Sequence, residues 1–221
     1  MYSENYMGYY SQCGQDKFLD TKIFNDFKGG YFVDVGAHDG VSFNNTLYFE
    51  KNKGWSGINV EPMPNVYEKL LANRPDCINI NCAVSDKDGQ AEFIINTGHT
   101  NMLSGLKSDY DPRHLNRLTR ELSEHGGESR TVLVDTKRLQ SIFDAHGVKR
   151  VHYLSIDVEG AEFNVIKSID FTKVFIDVIG FENNYSDVSL PIINYLESKG
   201  YKVVLQSDDI FMIHEASQFK L

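Results

Sequence analysis

The pattern of apolar and polar residues changes period repeatedly from residue 31 to the end of the chain. Short apolar runs, typical of buried strands, are followed by stretches in which apolar residues recur at the spacing of an amphipathic helix. We therefore predict strands at 31–36, 56–61, 77–82, 151–157, 174–181, 201–205 and 210–214, with short β segments at 92–96 and 131–134. Helices are predicted at 44–53, 64–73, 136–146, 161–169 and 190–199.

This alternation predicts an α/β, Rossmann-like fold, in which a mostly parallel sheet carries helices on both faces. The last two strands are separated only by residues 206–209, which cannot hold a helical crossover. These two strands must therefore pair as a C-terminal antiparallel hairpin.

The chain is expected to form a single domain that spans residues 1–221, with an N-terminal helical segment at residues 1–30. Residues 97–130 interrupt the alternation and contain an amphipathic stretch. Long insertions beside a crevice are usually lids or binding loops, so we expect a cap that binds the second substrate. A surface insertion without a role is the alternative.

Composition narrows the classes of partner. The formal net charge of −9 leaves no basic footprint for a nucleic acid, and no apolar run is long enough to span a bilayer. The three cysteines lack CxxC spacing and are expected to be free thiols of a reducing compartment. The polar start of the sequence lacks the regions of a signal peptide. We expect a cytoplasmic protein that binds neither nucleic acid nor membrane.

The turn after the first strand predicts a nucleoside cofactor, because glycines there allow a ligand to approach the backbone. The turn lacks the third glycine of a dinucleotide site, and the carboxylate of Asp39 would repel a pyrophosphate. A sulfonium amino acid suits carboxylates such as Asp34 and Asp39. S-Adenosyl-L-methionine therefore fits better than a nicotinamide dinucleotide. Its predicted contacts in this turn are Asp34, Gly36, Ala37 and Asp39.

Three further segments complete the predicted cofactor site. Glu61 ends the second strand and can accept hydrogen bonds from a ribose diol, although an acid placed only for a helix dipole is the alternative. The turn with Ala83, Val84 and Ser85 follows the third strand and is expected to flank the adenine, unless it is a plain turn. Gln15 lies in the N-terminal segment that we expect to cover the cofactor.

Carboxylates follow two later strands at the same edge of the predicted sheet. Asp157 and Glu159 end one strand and are candidate catalytic residues, with His38 as an alternative general base. Asp157, Glu182 and Asn183 offer hard oxygen ligands that suit Mg²⁺. A polar rim without a metal is the alternative.

The chain resembles the FkbM family of S-adenosylmethionine-dependent methyltransferases. The segments that carry the resemblance are 11–16, 32–40, 54–62, 81–86 and 156–162. The resemblance implies the class I methyltransferase fold and O-methyl transfer to hydroxyls of sugars, glycans or macrolide-type natural products. It implies cofactor contacts at Gly36, Asp39 and Glu61, with the turn at 83–85 bordering the adenine. Asp157, Glu182 and Asn183 are similar to the metal triplet of cation-dependent O-methyltransferases.

We therefore expect an S-adenosyl-L-methionine-dependent O-methyltransferase that acts on a hydroxyl of a sugar or glycan. A macrolide-type acceptor and a non-catalytic cofactor-binding module are the alternatives. A nicotinamide-dependent oxidoreductase would need the missing third glycine. The sequence leaves the oligomeric state open, with a homodimer as one option.

Overall fold

A computed structural model describes residues 8–221, so the first seven residues of the predicted N-terminal segment lie outside the described part of the chain. The strands are β1 (Tyr31–Val35), β2 (Ser56–Val60), β3 (Ile78–Ile80), β4 (Ala83–Val84), β5 (Gly89–Asn96), β6 (Gly105–Leu106), β7 (Ser129–Lys137), β8 (Arg150–Ile156), β9 (Phe175–Glu182), β10 (Tyr201–Gln206) and β11 (Asp209–His214). The α-helices are α1 (Gln15–Phe18), α2 (Leu47–Lys53), α3 (Pro64–Asn73), α4 (Pro112–His125), α5 (Leu139–Ala145), α6 (Glu162–Lys167) and α7 (Ser186–Glu197). A π-helical turn at Leu19–Phe24 and a 3₁₀ segment at Gly98–Leu103 complete the elements of residues 8–221.

The large sheet confirms the predicted fold class. Within residues 8–221 it has seven strands in the order β10-β11-β9-β8-β1-β2-β3. The strands from β3 through β9 in this order are parallel, whereas β11 pairs antiparallel with both β9 and β10. The chain leaves β1 toward β2 on one side, while β8 lies on the other side. This reversal opens a crevice at the carboxyl ends of β1 and β8.

Both faces of the large sheet are covered, and alternate residues of β1 show this directly. Val33 and Val35 pack with apolar residues of α5, α6 and α7. Phe32 points to the opposite face and packs with the π-helical turn, α2 and Trp55. All three strand residues are buried, as the side-chain period of two requires.

A second sheet was not predicted from the sequence. The strand predicted at 77–82 is shortened to β3, Ile78–Ile80. The next strand, β4, pairs with β7 in a four-stranded sheet of order β4-β7-β5-β6 within the described residues. The short segments predicted at 92–96 and 131–134 are parts of the long antiparallel pair β5 and β7. Polar residues on the exposed face of that pair shortened its apolar signal.

Three helices begin three or four residues away from their predicted starts. Thr136 and Lys137 pair with neighbouring strands, so α5 begins at Leu139 rather than at residue 136. The helix predicted at 44–53 begins at Leu47, because the side-chain oxygen of Asn44 accepts its backbone N–H and forms a turn before it. Helix α7 begins at Ser186 rather than at residue 190, and it contains Pro191.

The insertion, called here the cap (residues 97–130), is ordered and lies on the second sheet. Asp111 caps α4 by accepting the backbone N–H of Arg113 at 2.7 Å. Leu103, Tyr110 and Leu118 form its small apolar core, which packs against Ile94 of β5. In the part of the chain that the structure describes, no helix has the length and apolar character that crossing a membrane requires.

Candidate active site

A cleft of about 490 Å³ lies at the carboxyl ends of β1, β2, β8 and β9. Side chains from the segment before β1, from the second sheet and from the cap complete its walls. Most residues predicted for the site line this cleft: Gln15, Asp34, Gly36, Ala37, His38, Glu61, Ala83, Val84, Asp157, Glu159, Glu182 and Asn183. Asp39 and Ser85 are not among the lining residues.

Gly36 allows the turn after β1 to pass close to the backbone that follows β8. Its φ is +88°, and a Cβ atom at this position would lie 1.7 Å from the carbonyl oxygen of Asp157. The backbone N–H groups of Gly36 and Ala37 donate to the carbonyl of Val60 on β2, at 3.0 and 3.1 Å. No side chain fits at this position, which leaves the backbone of the turn open to the cleft.

Arg74, which the sequence analysis missed, supports the same turn from behind. Its side chain is fully buried and donates to the carbonyl of Gly40 and to the side-chain oxygen of Asn44, each at 3.1 Å. It also forms an ion pair with Glu50. A buried arginine so far along the chain from the turn gives no periodic signal, which is why the pattern did not reveal it.

Glu61 is buried at the end of β2, with 3% of its surface exposed. One carboxylate oxygen accepts the backbone N–H of Met63 at 2.8 Å, and the other accepts the N–H of His38 at 3.1 Å. Burial raises the pKa of Glu61 to about 7. Each oxygen has a second lone pair, so this carboxylate can accept two further hydrogen bonds from a diol in the cleft.

The two aspartates predicted for the cofactor are engaged within the turn itself. The Asp34 carboxylate accepts from Asn44 at 2.9 Å and from the Thr46 hydroxyl at 2.8 Å. The Asp39 carboxylate accepts the N–H and the hydroxyl of Ser42, and it lies 3.6 Å from His38 Nδ1. Although burial opposes it, the nearby His38 ring and the hydrogen bonds from Ser42 and Val41 hold the pKa of Asp39 well below its usual range.

The end of the cleft toward the second sheet has apolar walls. Ala83 and Val84 lie there, together with Met63, Phe93 and Leu106, three contributors that the sequence analysis missed. Ser85 is buried, and its backbone N–H donates to the carbonyl of Lys137. An apolar slot beside the Glu61 carboxylate can hold a flat ring system next to a sugar.

The structure also brings three carboxylates of the cleft together. One oxygen from each of Asp157, Glu159 and Glu182 lies within 4.8 Å of the others. Desolvation by the protein around it, with the charges of Asp209 and Glu162, raises the pKa of Asp157 to about 7. Burial and the charges of Asp157 and Glu159 raise the pKa of Glu182 to about 11. Desolvation beside Asp157 also raises the pKa of Glu159 well above its usual range.

Asn183, the third predicted metal ligand, borders the cleft, but its amide is already hydrogen-bonded at both ends. Its oxygen accepts the Ser189 hydroxyl at 2.8 Å, and its nitrogen donates to the carbonyl of Ser207 at 2.8 Å. Glu159 therefore has an oxygen that is more available than that of Asn183 to coordinate a metal ion together with Asp157 and Glu182.

Two residues of the cap reach this carboxylate cluster and were not singled out from the sequence. Arg117 lines the cleft and pairs with Glu121 at 2.8 Å. His114 is buried, with Nδ1 at 3.4 Å from the Glu159 carboxylate. The sequence showed only an amphipathic stretch where α4 lies, and this pattern gave no direction for its polar side chains relative to the cleft.

The cleft lies at the switch point of a sheet with a C-terminal antiparallel hairpin, and this arrangement defines a class I methyltransferase. Residues 34–203 match the family model described as the methyltransferase FkbM domain, and the chain belongs to this family. The chain is also 24% identical to methyltransferase 1 of Beauveria bassiana (strain ARSEF 2860), over 88% of this chain and 80% of that protein.

Two solved structures have a similar fold. The FkbM methyltransferase from Methylobacillus flagellatus KT superposes with a TM-score of 0.53 and 16% identity, over 86% of this chain and 44% of that one. A putative RNA methyltransferase from Pyrococcus horikoshii has a TM-score of 0.50 and 10% identity, over 92% and 81%. Family membership confirms the prediction of S-adenosyl-L-methionine as cofactor.

Proposed function

We propose that this methyltransferase transfers the methyl group of S-adenosyl-L-methionine to a hydroxyl of a sugar or glycan. The observation that carries the proposal is the cluster of Asp157, Glu159 and Glu182 across the cleft from Glu61. Transfer to a hydroxyl requires a group that accepts its proton, and carboxylates at the carboxyl ends of β8 and β9 are placed to do so.

Without a bound cation, the pKa values favour Asp157 as that proton acceptor. A general base works best when its pKa lies near the pH of the reaction, and the pKa of Asp157 is raised to about 7. His38 is the second candidate, because neither of its ring nitrogens has a hydrogen-bond partner within residues 8–221. Although burial opposes it, the charges of Asp39 and Glu61 raise the pKa of His38.

The side chains at the mouth of the cleft support a polyhydroxylated acceptor. Amide groups of Gln12, Gln15 and Asn184 line this region together with Asp208. Amides offer donors and acceptors side by side, which matches the paired hydroxyls of a sugar ring. A macrolide-type acceptor, the alternative to a sugar, would bind mainly through apolar contacts.

The same carboxylates fit a divalent cation. Within the described residues, Glu159 Oε2 and Glu182 Oε2 are buried without a hydrogen-bond partner, and the raised pKa values reflect mutual repulsion that a cation would relieve. Asp157, Glu159 and Glu182 would hold Mg²⁺, and a bound cation would lower the pKa of an acceptor hydroxyl.

Calorimetric titration with Mg²⁺ in two buffers of different ionisation enthalpy tests the metal proposal. Binding should release protons at pH 7.5, because Glu182 is protonated there without the cation. Glu159→Gln should weaken binding by about tenfold or more, whereas Asn183→Ala should leave it nearly unchanged. If Asn183→Ala weakened Mg²⁺ binding more than Glu159→Gln, Asn183 would be the ligand. Full activity after exhaustive chelation would show that the reaction needs no metal.

Labelled S-adenosyl-L-methionine, incubated with sugar nucleotides, deoxyhexose glycans and macrolide aglycones, tests the acceptor class. We expect label in the carbohydrate samples and a loss of at least about 100-fold with Asp157→Asn. Asp76→Asn, at an exposed position, is the matched control. Label only in the macrolide samples would support the macrolide-type acceptor, and binding without transfer to any sample would support a non-catalytic module.

A cytoplasmic location, with neither nucleic acid nor membrane as partner, is part of the proposal. Cys13, Cys77 and Cys82 are free thiols in the structure, which supports a reducing compartment.

A further inference from the structure

We propose that His114 of the cap is a positioning residue that holds the Glu159 side chain in the carboxylate cluster. The inference rests on the proposed role of that cluster in methyl transfer. It gives the cap a function in the reaction beyond contact with the acceptor.

Glu159 needs such support because its backbone is strained. Its φ is +56°, in the left-handed region that residues with a Cβ rarely adopt, and such conformations persist only where the surroundings impose them. Part of the support comes from its own turn, in which the Glu162 carboxylate accepts the N–H of Gly160 at 3.1 Å.

The cap supplies the rest of the backbone support. A Cβ on Gly105 of β6 would lie 3.5 Å from the Cβ of Glu159, so this strand packs directly on the residue. A Cβ on Gly160 would lie 2.7 Å from the carbonyl oxygen of Asp109, which shows equally close packing. Asn164 of α6 also donates to the Asp109 carboxylate at 3.1 Å. The turn that carries Glu159 is thus clamped by residues of the cap.

His114 is the cap residue that contacts the Glu159 side chain itself. Its Nδ1 lies 3.4 Å from Glu159 Oε2, an atom that has no hydrogen-bond partner among residues 8–221. The charge of Arg117, one turn further along α4, also faces Glu159. Arg117 is already paired with Glu121, which leaves His114 as the close contact.

The imidazole of His114 is itself held rigidly. Only 3% of the residue is exposed, and its ring stacks on Tyr110 with centroids 4.7 Å apart. Nε2 lies 3.5 Å from the carbonyl of Leu103, which also accepts the Tyr110 hydroxyl. One ring nitrogen is therefore directed to the cap and the other to Glu159. A carboxylate oriented by a fixed imidazole loses reactivity when that support is removed.

Two conservative variants separate these two ends of the ring. His114→Asn places an amide near the position of Nδ1 and preserves the contact with Glu159. His114→Gln reaches the position of Nε2, preserves the contact with the Leu103 carbonyl and loses Glu159. If His114 positions Glu159, kcat should fall about 10- to 100-fold in the Gln variant and only a few-fold in the Asn variant. KM for S-adenosyl-L-methionine should stay unchanged in both.

His125→Ala, at an exposed position of the same helix, is the matched control. Equal kcat losses in the Asn and Gln variants, or losses that follow only the urea midpoint of unfolding, would overturn the proposal and leave His114 as a packing residue of the cap.

Amide hydrogen exchange gives a second test that needs no acceptor. In His114→Gln, the amides of Glu159 and Gly160 should exchange about tenfold faster or more, while those of β1 and β8 stay unchanged. Unchanged exchange at the turn would overturn the positioning role even if activity were lost. Absence of methyl transfer by the unaltered protein, combined with the expected exchange, would instead refute only the proposed function.

Discussion

Replacement of Glu61 by glutamine should weaken cofactor binding without changing the shape of the site. Both carboxylate oxygens already accept one backbone N–H each, from His38 and from Met63. The amide nitrogen of a glutamine would replace one of these oxygens, so it would face a backbone N–H donor as well as the cofactor ribose. In either orientation one acceptor for the ribose diol is lost.

The size of the effect follows from the energy of one hydrogen bond to a charged group, about 1.5–3 kcal/mol. Because about 1.4 kcal/mol changes an equilibrium constant tenfold, the dissociation constant should rise about 10- to 150-fold. Because the amide nitrogen faces a backbone N–H in either orientation, the buried donor left unpaired should also lower the free energy of unfolding by about 1–3 kcal/mol.

Calorimetric titration with S-adenosylhomocysteine at pH 8, above the pKa of about 7 for Glu61, measures the loss. The affinity of the unaltered protein should increase as the pH rises from 6 to 8 and Glu61 ionises, whereas that of Glu61→Gln should stay flat. Glu68→Gln, at an exposed position of α3, is the control. An affinity of Glu61→Gln within about twofold of the unaltered protein would refute the ribose assignment.

Three further predictions concern the rest of the site. Glu61, Asp157 and Glu182 have folded-state pKa values above their unfolded values, so the folded protein binds more protons. Its free energy of unfolding in urea should therefore fall as the pH rises from 5 to 8, and a rise over this range would contradict these raised pKa values. Gly36→Ala should abolish cofactor binding or prevent folding, because its Cβ would lie 1.7 Å from the carbonyl oxygen of Asp157. Cofactor binding at normal affinity would contradict this close approach of the two backbones. Asp111→Ala removes the side chain that accepts a backbone N–H at the start of α4 and should destabilise that helix by about 0.5–2 kcal/mol. We expect faster hydrogen exchange confined to residues 97–130.

The fold was predictable where local pattern and tertiary pairing agree. The apolar runs of β1, β2, β8 and β9 are buried on both faces, so each gave a continuous signal in the sequence. The four residues between the last two strands were enough to predict an antiparallel hairpin. These elements place the cleft, because their carboxyl ends meet at one edge of the sheet.

The second sheet could not be predicted because its strands are exposed on one face and pair across the insertion. Leu133 of β7 is 68% exposed, so the apolar alternation there is weak. The pairing of β4 with β7 joins residues far apart in the sequence, and no local pattern encodes it. The same long-range pairing displaced the predicted start of α5.

The site was predictable to the extent that a residue ends a strand. Glu61 and Asp157 both line the cleft for this reason. The roles of Arg74, His114 and Arg117 depend on how helices and the cap pack, and charge spacing along a helix does not reveal it. Asp39 shows the converse, because its motif position was evident but its carboxylate turns to Ser42.

A crystal structure of the protein with S-adenosylhomocysteine bound tests the central claim most directly. The ribose should lie on the Glu61 carboxylate, the adenine beside Val84, and the sulfur toward Asp157, inside the cleft between β1 and β8. A ligand bound outside this cleft, or a ribose that makes no contact with Glu61, would contradict the account.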